Sequence, residues 1–243
     1  MNSITSHILI IGHRGAYRYP PENSLKSFRG AINLGAEYTE FDIHQSKDGE
    51  IVIMHDENTF RTTGFNGLIK NMTLKELKEL DCGEGEKIPT LHELIKIAKG
   101  KIGLFCEIKA KGLEEKLVEI LTEDNLLEST IIDSFYIDEL IKIQELAPTL
   151  KLGLVVPIDE SFVPEWEQRR DLIHTIINNN FPYIITRFKN VDQKFINYSH
   201  DNNIKVIVYP LNTKIIMKRF ISMGVDGMIV NDIFKAKREL INH

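Results

Sequence analysis

Three short stretches of the 243-residue sequence carry ionisable side chains at spacings suited to acid–base and metal chemistry. Gly12-His13-Arg14-Gly15 puts an imidazole and a guanidinium in one turn, flanked by glycines that let backbone come close to a ligand. Glu40-Phe41-Asp42 holds two carboxylates two residues apart, so on a strand both project from one face while Phe41 takes the other. Glu107-Ile108-Lys109 repeats that spacing with an acid and a base.

Gathered in one pocket, Glu40, Asp42 and Glu107 would repel one another, and the simplest remedy is one bound divalent cation with oxygen ligands. An all-carboxylate set favours Mg2+ or Ca2+ over zinc. Arg14 and Lys109 then offer positive charge to an anionic substrate, which suits a phosphate ester. His13 and His55 flank this arrangement, so one could take a proton from a nucleophile while the other protonates a leaving alcohol near neutral pH. Each piece also has a plainer reading. A single strand acid such as Glu107 serves equally well as a salt-bridge partner, and His13 alone could be a turn residue. For Glu40 and Asp42 together on one face, structure alone explains little.

The remaining polar residues read as structural. His44 is expected on the face opposite Asp42, and His7, His92, His174, His200 and His243 fall in helices, termini or loops. The Lys235 to Arg238 cluster reads as a solvated helix face, and Cys106 as a small apolar packing residue.

Strand ends must position the three stretches. Apolar, β-rich runs recur at residues 8–12, 38–43, 51–54, 102–108, 130–134, 152–156, 183–186, 204–208 and 227–230, separated by helical patterns. Such alternation is the signature of a parallel sheet covered by helices, and the length is near the roughly 250 residues of one closed barrel. The expected fold is therefore α/β, a single (β/α)8 TIM barrel over residues 1–243. Eight strands close such a barrel, and the ninth is identifiable. Asp48-Gly49 supplies a hairpin turn with no room for a crossover helix, so residues 51–54 run antiparallel to the second strand. A two-residue turn would set Lys47 opposite Glu50 and His55 opposite Asp42.

Helix punctuation agrees. Thr90-Leu91-His92-Glu93 has the capping-box pattern, with Gly100 as the stop. Asn23 is the expected cap of a helix ending at Gly35, and a helix over Thr213 to Met223 closes at Gly224. Residues 56–89, with four glycines around one helical stretch at Thr73 to Leu80, read as a small lobe inserted after the second strand, over the barrel mouth.

Composition excludes several classes. Hydrophobic residues make up 42% and charged ones 27%, as in ordinary globular proteins, and the net charge of −5 lacks the basic excess of a nucleic-acid binder. No stretch approaches the ~20 apolar residues of a membrane span. Two cysteines are too few for a disulfide framework, and with no export signal the expected location is the reducing cytoplasm. Oligomeric state is not legible.

Taken in order, these residues resemble the glycerophosphodiester phosphodiesterase family over nearly the whole chain. The resemblance runs through His13-Arg14-Gly15, Pro21-Glu22-Asn23-Ser24, Gly35-Ala36, Glu40-Phe41-Asp42 and Lys47-Asp48-Gly49. It continues in His55-Asp56, Arg61-Thr62-Thr63-Gly64, Ile88-Pro89-Thr90-Leu91, Glu107-Ile108-Lys109, Ser134-Phe135 and Gly224-Val225-Asp226-Gly227. It implies a barrel enzyme that cleaves a small-molecule glycerophosphodiester to glycerol 3-phosphate and an alcohol. It also implies His13 and His55 as the acid–base pair, Glu40, Asp42 and Glu107 as metal ligands, and Arg14 and Lys109 as phosphate contacts. Tyr209-Pro210-Leu211-Asn212 departs from the Trp-Thr-Val-Asn of the family, which leaves the pocket rim and the preferred head group open. So do the division of roles between the histidines and the choice of water or a glycerol hydroxyl as nucleophile. A phospholipase D-like enzyme, a non-catalytic barrel and a metal-assisted lyase are the rivals. The first lacks its export signal, the second would have lost an acid or a histidine, and the third leaves the second histidine no proton to deliver.

Overall fold

A computed structural model describes residues 7–16, 18–156 and 164–242. The strands are β1 (Leu9–Gly12), β2 (Tyr38–Gln45), β3 (Ile51–Ile53), β4 (Gly103–Ile108), β5 (Thr130–Ser134), β6 (Lys151–Val155), β7 (Tyr183–Arg187), β8 (Lys205–Tyr209) and β9 (Gly227–Val230). Eight of them run parallel in the order β1-β9-β8-β7-β6-β5-β4-β2, and pairing of β1 with β2 closes the ring. This is the expected (β/α)8 barrel, with helices interleaved between its strands.

Alternation along each strand builds two apolar layers. One parity, including Ile10, Phe41, Cys106, Ile132, Leu154, Val206 and Met228, packs outward against the helices. The other, including Ile11, Phe105, Ile131, Val155, Ile185, Ile207 and Ile229, fills the barrel. The inward parity carries Glu40 and Asp42 on β2 and Glu107 on β4. The register Asp42↔Glu107↔Asp133 lines up inward acids on three neighbouring strands.

β3 is the strand outside the ring. It pairs antiparallel with the far end of β2, Ile43 opposite Ile53 and Gln45 opposite Ile51. Continuing that ladder sets Met54, not His55, opposite Asp42, and the Met54 N–H donates to the Asp42 carbonyl at 3.0 Å. The two-residue turn expected from Asp48-Gly49 is thus corrected to one residue longer. Ser46 closes onto Glu50, and Gly49 takes φ 85°, a left-handed conformation that a side chain would oppose.

The first helix is corrected as well. Helix Leu25–Asn33 is capped by Ser24, whose hydroxyl accepts from the Ser27 N–H, and Asn23 is turned elsewhere. Thr90 forms its capping box with Glu93, and Thr213 and Gly224 bound helix Lys214–Met223 as expected. Within residues 56–89 lie helix Leu74–Glu79 and two shorter turns, Phe60–Thr63 and Ile69–Asn71. Ile69, Leu77, Cys82 and Ile88 pack there with Val52 and Met54 as an apolar cluster separate from the barrel. No helix among the described residues is long and apolar enough to cross a membrane.

Candidate active site

At the C-terminal ends of the strands a cavity of about 480 Å³ opens, lined on one side by His13, Arg14, Glu40, His55, Glu107 and Lys109. Asp42 lies behind them, fully buried. Carboxylate oxygens of Glu40, Asp42 and Glu107 all fall within 4.8 Å of one another. The seven residues singled out in the sequence are therefore neighbours.

Local structure explains each placement. The turn after β1 doubles back onto β2, and the Arg14 N–H donates to Glu40 Oε2 at 2.6 Å. Gly15, with φ 92°, lies so close to Ser27 that a Cβ would meet its hydroxyl at 2.3 Å. Arg14 then reaches the acids from above. Its Nη1 donates to Glu22 Oε1 at 2.9 Å and its Nε stands 3.7 Å from Asp42 Oδ2. Lys109 Nζ pairs with Glu107 and stands 3.2 Å from Asp42 Oδ1, over the Phe135 ring.

Burial and mutual repulsion set the charge state of the acids. Burial, Asp42 and Glu107 push Glu40 well above the usual carboxylate range. Burial and Asp42 push Glu107 up to about 7, against the pull of Lys109. Burial would raise Asp42 too, but Lys109, His55 and Arg14 hold it at about 2. Glu40 and Glu107 therefore tend to hold protons that a cation would replace.

Two observations test the fit of a hard cation. The donor set is three carboxylates, which suits Mg2+ or Ca2+. Beside them Asn23, held at φ 54° and buried, donates from Nδ2 to Asp42 Oδ2 at 2.8 Å, while its Oδ1 has no hydrogen-bond partner. The amide must face Asp42 with its donor, so a buried carbonyl oxygen is left over next to the acids, as a further oxygen donor for a cation would be.

The histidines are held by their Nδ1 atoms, which leaves each Nε2 for the pocket. His13 Nδ1 donates to Asn231 Oδ1 at 2.7 Å, after β9. Burial, with Arg14 beside it, pulls His13 down to about 4, so its ring is neutral at physiological pH. His55 Nδ1 pairs with Asp56 Oδ1 at 2.5 Å. Arg61 ties the two sides together, bonding Asp56 Oδ2 at 2.5 Å and Glu22 Oε1 at 2.6 Å.

His44 was expected to point away from Asp42, and that expectation is corrected. Residues two apart on β2 share a face, and the His44 ring lies 3.3 Å from the His55 carbonyl oxygen, buried among the charges of Asp42 and Lys109. His7, His174 and His200 bond Glu37, Tyr198 and Asp226 at the surface. His243 lies outside the described residues.

Sequence reading gave no site role to four polar residues that the fold places beside the site: Asn23, Asn231, Asp133 and Arg187. Asn23 was read as a cap. Asp133 had a usable signal, because an acid two residues after Ile131 on an apolar strand shares the parity that fills the barrel. Asn231 and Arg187 are single polar residues at strand ends, with nothing in their spacing to mark them.

Comparison with known proteins identifies the family. Residues 13–235 match the model of the glycerophosphoryl diester phosphodiesterase family. A glycerophosphodiester phosphodiesterase of Caldanaerobacter subterraneus subsp. tengcongensis is 34% identical over 241 residues, covering 92% of this chain and 94% of that protein. Among solved structures, a phosphodiesterase of Oleispira antarctica in complex with the product sn-glycerol-3-phosphate superposes with TM-score 0.83 at 27% identity, covering 96% of each chain. The glycerophosphodiester phosphodiesterase of Thermotoga maritima gives 0.80 at 27%, covering 96% of this chain and 98% of that one.

Proposed function

This chain belongs to the glycerophosphoryl diester phosphodiesterase family and is a hydrolase of glycerophosphodiesters, and we propose that it works with one divalent cation and a His13/His55 acid–base pair. The observation that carries the proposal is the convergence of Glu40, Asp42 and Glu107 within 4.8 Å, in one cavity with two imidazoles whose Nδ1 atoms are already engaged.

Glu40, Asp42 and Glu107 would hold Mg2+ or Ca2+, with Asn23 Oδ1 as an added oxygen donor. Bound there, the cation would draw charge off the phosphoryl oxygens. Arg14 and Lys109 pair with those oxygens and offset the charge that builds up in the transition state. His13, kept neutral by burial and Arg14 and oriented by Asn231, accepts at Nε2 the proton of the hydroxyl that attacks phosphorus. His55, whose Nδ1–H points at the Asp56 carboxylate, delivers a proton from Nε2 to the leaving alcohol oxygen. With water as nucleophile one P–O bond forms and one breaks, releasing glycerol 3-phosphate and the free alcohol; with a glycerol hydroxyl the same exchange releases the alcohol and leaves a cyclic phosphate, which water then opens by a second P–O exchange.

The test is release of glycerol 3-phosphate from a panel of glycerophosphodiesters, with chelation and separate return of Mg2+ and Ca2+. Activity should collapse with chelator and return with one of the two ions. Release that ignores the chelator would remove the metal from the mechanism.

A further inference from the structure

We propose that the cavity wall facing the three acids, built from Asp133, Arg187 and Tyr209, reads the free hydroxyls of the glycerol unit, and that Asp133 makes the selection. This rests on the phosphodiesterase reading above and adds a substrate-contacting residue to it.

Asp133 follows Glu107 in the register row of inward residues and lines the same cavity. It is 2% exposed, and its Oδ1 has no hydrogen-bond partner. A buried carboxyl oxygen without a partner is a standing cost of about 1–3 kcal/mol. On the side away from Glu107 the nearby inward positions Val155 and Ile185 are apolar and offer it no partner. A ligand group that meets the oxygen would remove that cost.

The neighbours decide which group. Arg187 and Tyr209 are register partners on β7 and β8, and the guanidinium donates to the Tyr209 phenol oxygen. A cationic head group placed here would face Arg187, and an anionic one would face Asp133 and Glu107. An uncharged hydroxyl satisfies both sides, because it can donate and accept. Phe135, Val155, Ile185 and Ile229 supply apolar surface for the carbon skeleton between the polar groups. Adjacent strands stand ~4.8 Å apart, so a group at Asp133 is about one glycerol backbone away from a phosphate beside Lys109 and the cation that Glu107 would hold. The head-group alcohol is then left toward the cavity mouth.

Asp133→Ala and Asp133→Asn, compared with wild type, test the proposal on two diesters: glycerophosphocholine, and bis(p-nitrophenyl) phosphate, which has no free hydroxyl. For Asp133→Ala the ratio of kcat/KM on the first to that on the second should fall about tenfold, the worth of one hydrogen bond. Asp133→Asn keeps a donor and an acceptor and should restore the ratio to within about threefold of wild type. In parallel, calorimetry should show glycerol 3-phosphate binding weakened more than inorganic phosphate by Asp133→Ala. An unchanged ratio, or equal weakening of both ligands, would overturn the assignment and leave Asp133 a structural neighbour of Glu107. Wild type that fails to cleave every diester of a glycerophosphodiester panel would refute the phosphodiesterase reading instead; if only glycerophosphocholine fails, the cleaved diester takes its place, and the binding comparison decides the role of Asp133 in either case.

Discussion

Without a cation, Glu107 sits between Asp42 and Asp133 on the inward face of the barrel, and burial together with Asp42 pushes it from an ordinary 4.5 up to about 7. A carboxyl raised in this way stabilises the fold fully below its unfolded value and loses that contribution as pH climbs through its folded one. Between pH 4.5 and pH 7 the loss from this group amounts to about 3 kcal/mol. Glu107→Gln removes the titration without stranding Lys109, which keeps Asp42 at 3.2 Å. In chelator at pH 8 the variant should therefore be more stable than wild type, by up to about 3 kcal/mol or roughly 6–12 °C in Tm for a domain of this size. At pH 4.5 the two should coincide. Saturating Mg2+ or Ca2+ should then raise the Tm of wild type and leave the variant nearly unmoved, since binding and folding are linked. Scanning calorimetry at the two pH values, with and without metal, measures every arm. A variant no more stable than wild type in chelator at pH 8 would refute the reasoning that the acids repel.

Three further variants have expected outcomes. His13→Gln should lower kcat by about 10²–10⁴ with the circular dichroism spectrum retained. Because His13 falls from 6.5 to about 4 on folding, the unfolded chain binds the extra proton between those values, so acidification through that window destabilises wild type through this residue by up to about 3 kcal/mol. The difference between wild type and His13→Gln in urea unfolding should show this slope, opposite in sign to that of Glu107. Arg61→Ala should cut kcat/KM about tenfold by releasing Asp56 and Glu22, while Tm changes little, because half-exposed ion pairs contribute under about 1 kcal/mol. Gly49→Ala should cost about 1 kcal/mol in urea unfolding through its φ of 85°, with catalysis intact.

The barrel was legible because its two signals are local. All nine strands lie within two residues of the apolar runs, since strand parity and turn chemistry act over a few residues. Glu40 and Asp42 were legible for the same reason, sharing a parity that a packed core would fill with Val or Ile. The hairpin shows the limit. Asp48-Gly49 marks a turn, but its length depends on whether Ser46 or Lys47 closes it, and one residue more moves the partner of Asp42 from His55 to Met54. His55 still reaches the cavity because it lies just past the end of β3, free of the ladder. Asn23 misled for another reason. Asn and Ser both cap helices well, and only the fold shows that Ser24 meets the helix while Asn23 faces Asp42.

The sequence alone determined the element order, the residues able to take protons or hold a cation, and the faces on which they stand, because each follows from side-chain type and a period of two or 3.6. Only the tertiary structure decided which faces meet. Closing β1 onto β2 brings Arg14 to Glu40, and pairing β9 with β1 sets Asn231, from the far end of the chain, against His13. It also carries Asp133, Arg187 and Tyr209 around the ring to face the acids. Those encounters depend on the stagger of strands far apart in sequence, and on burial that strips water from charges. Neither quantity exists until the sheet has closed.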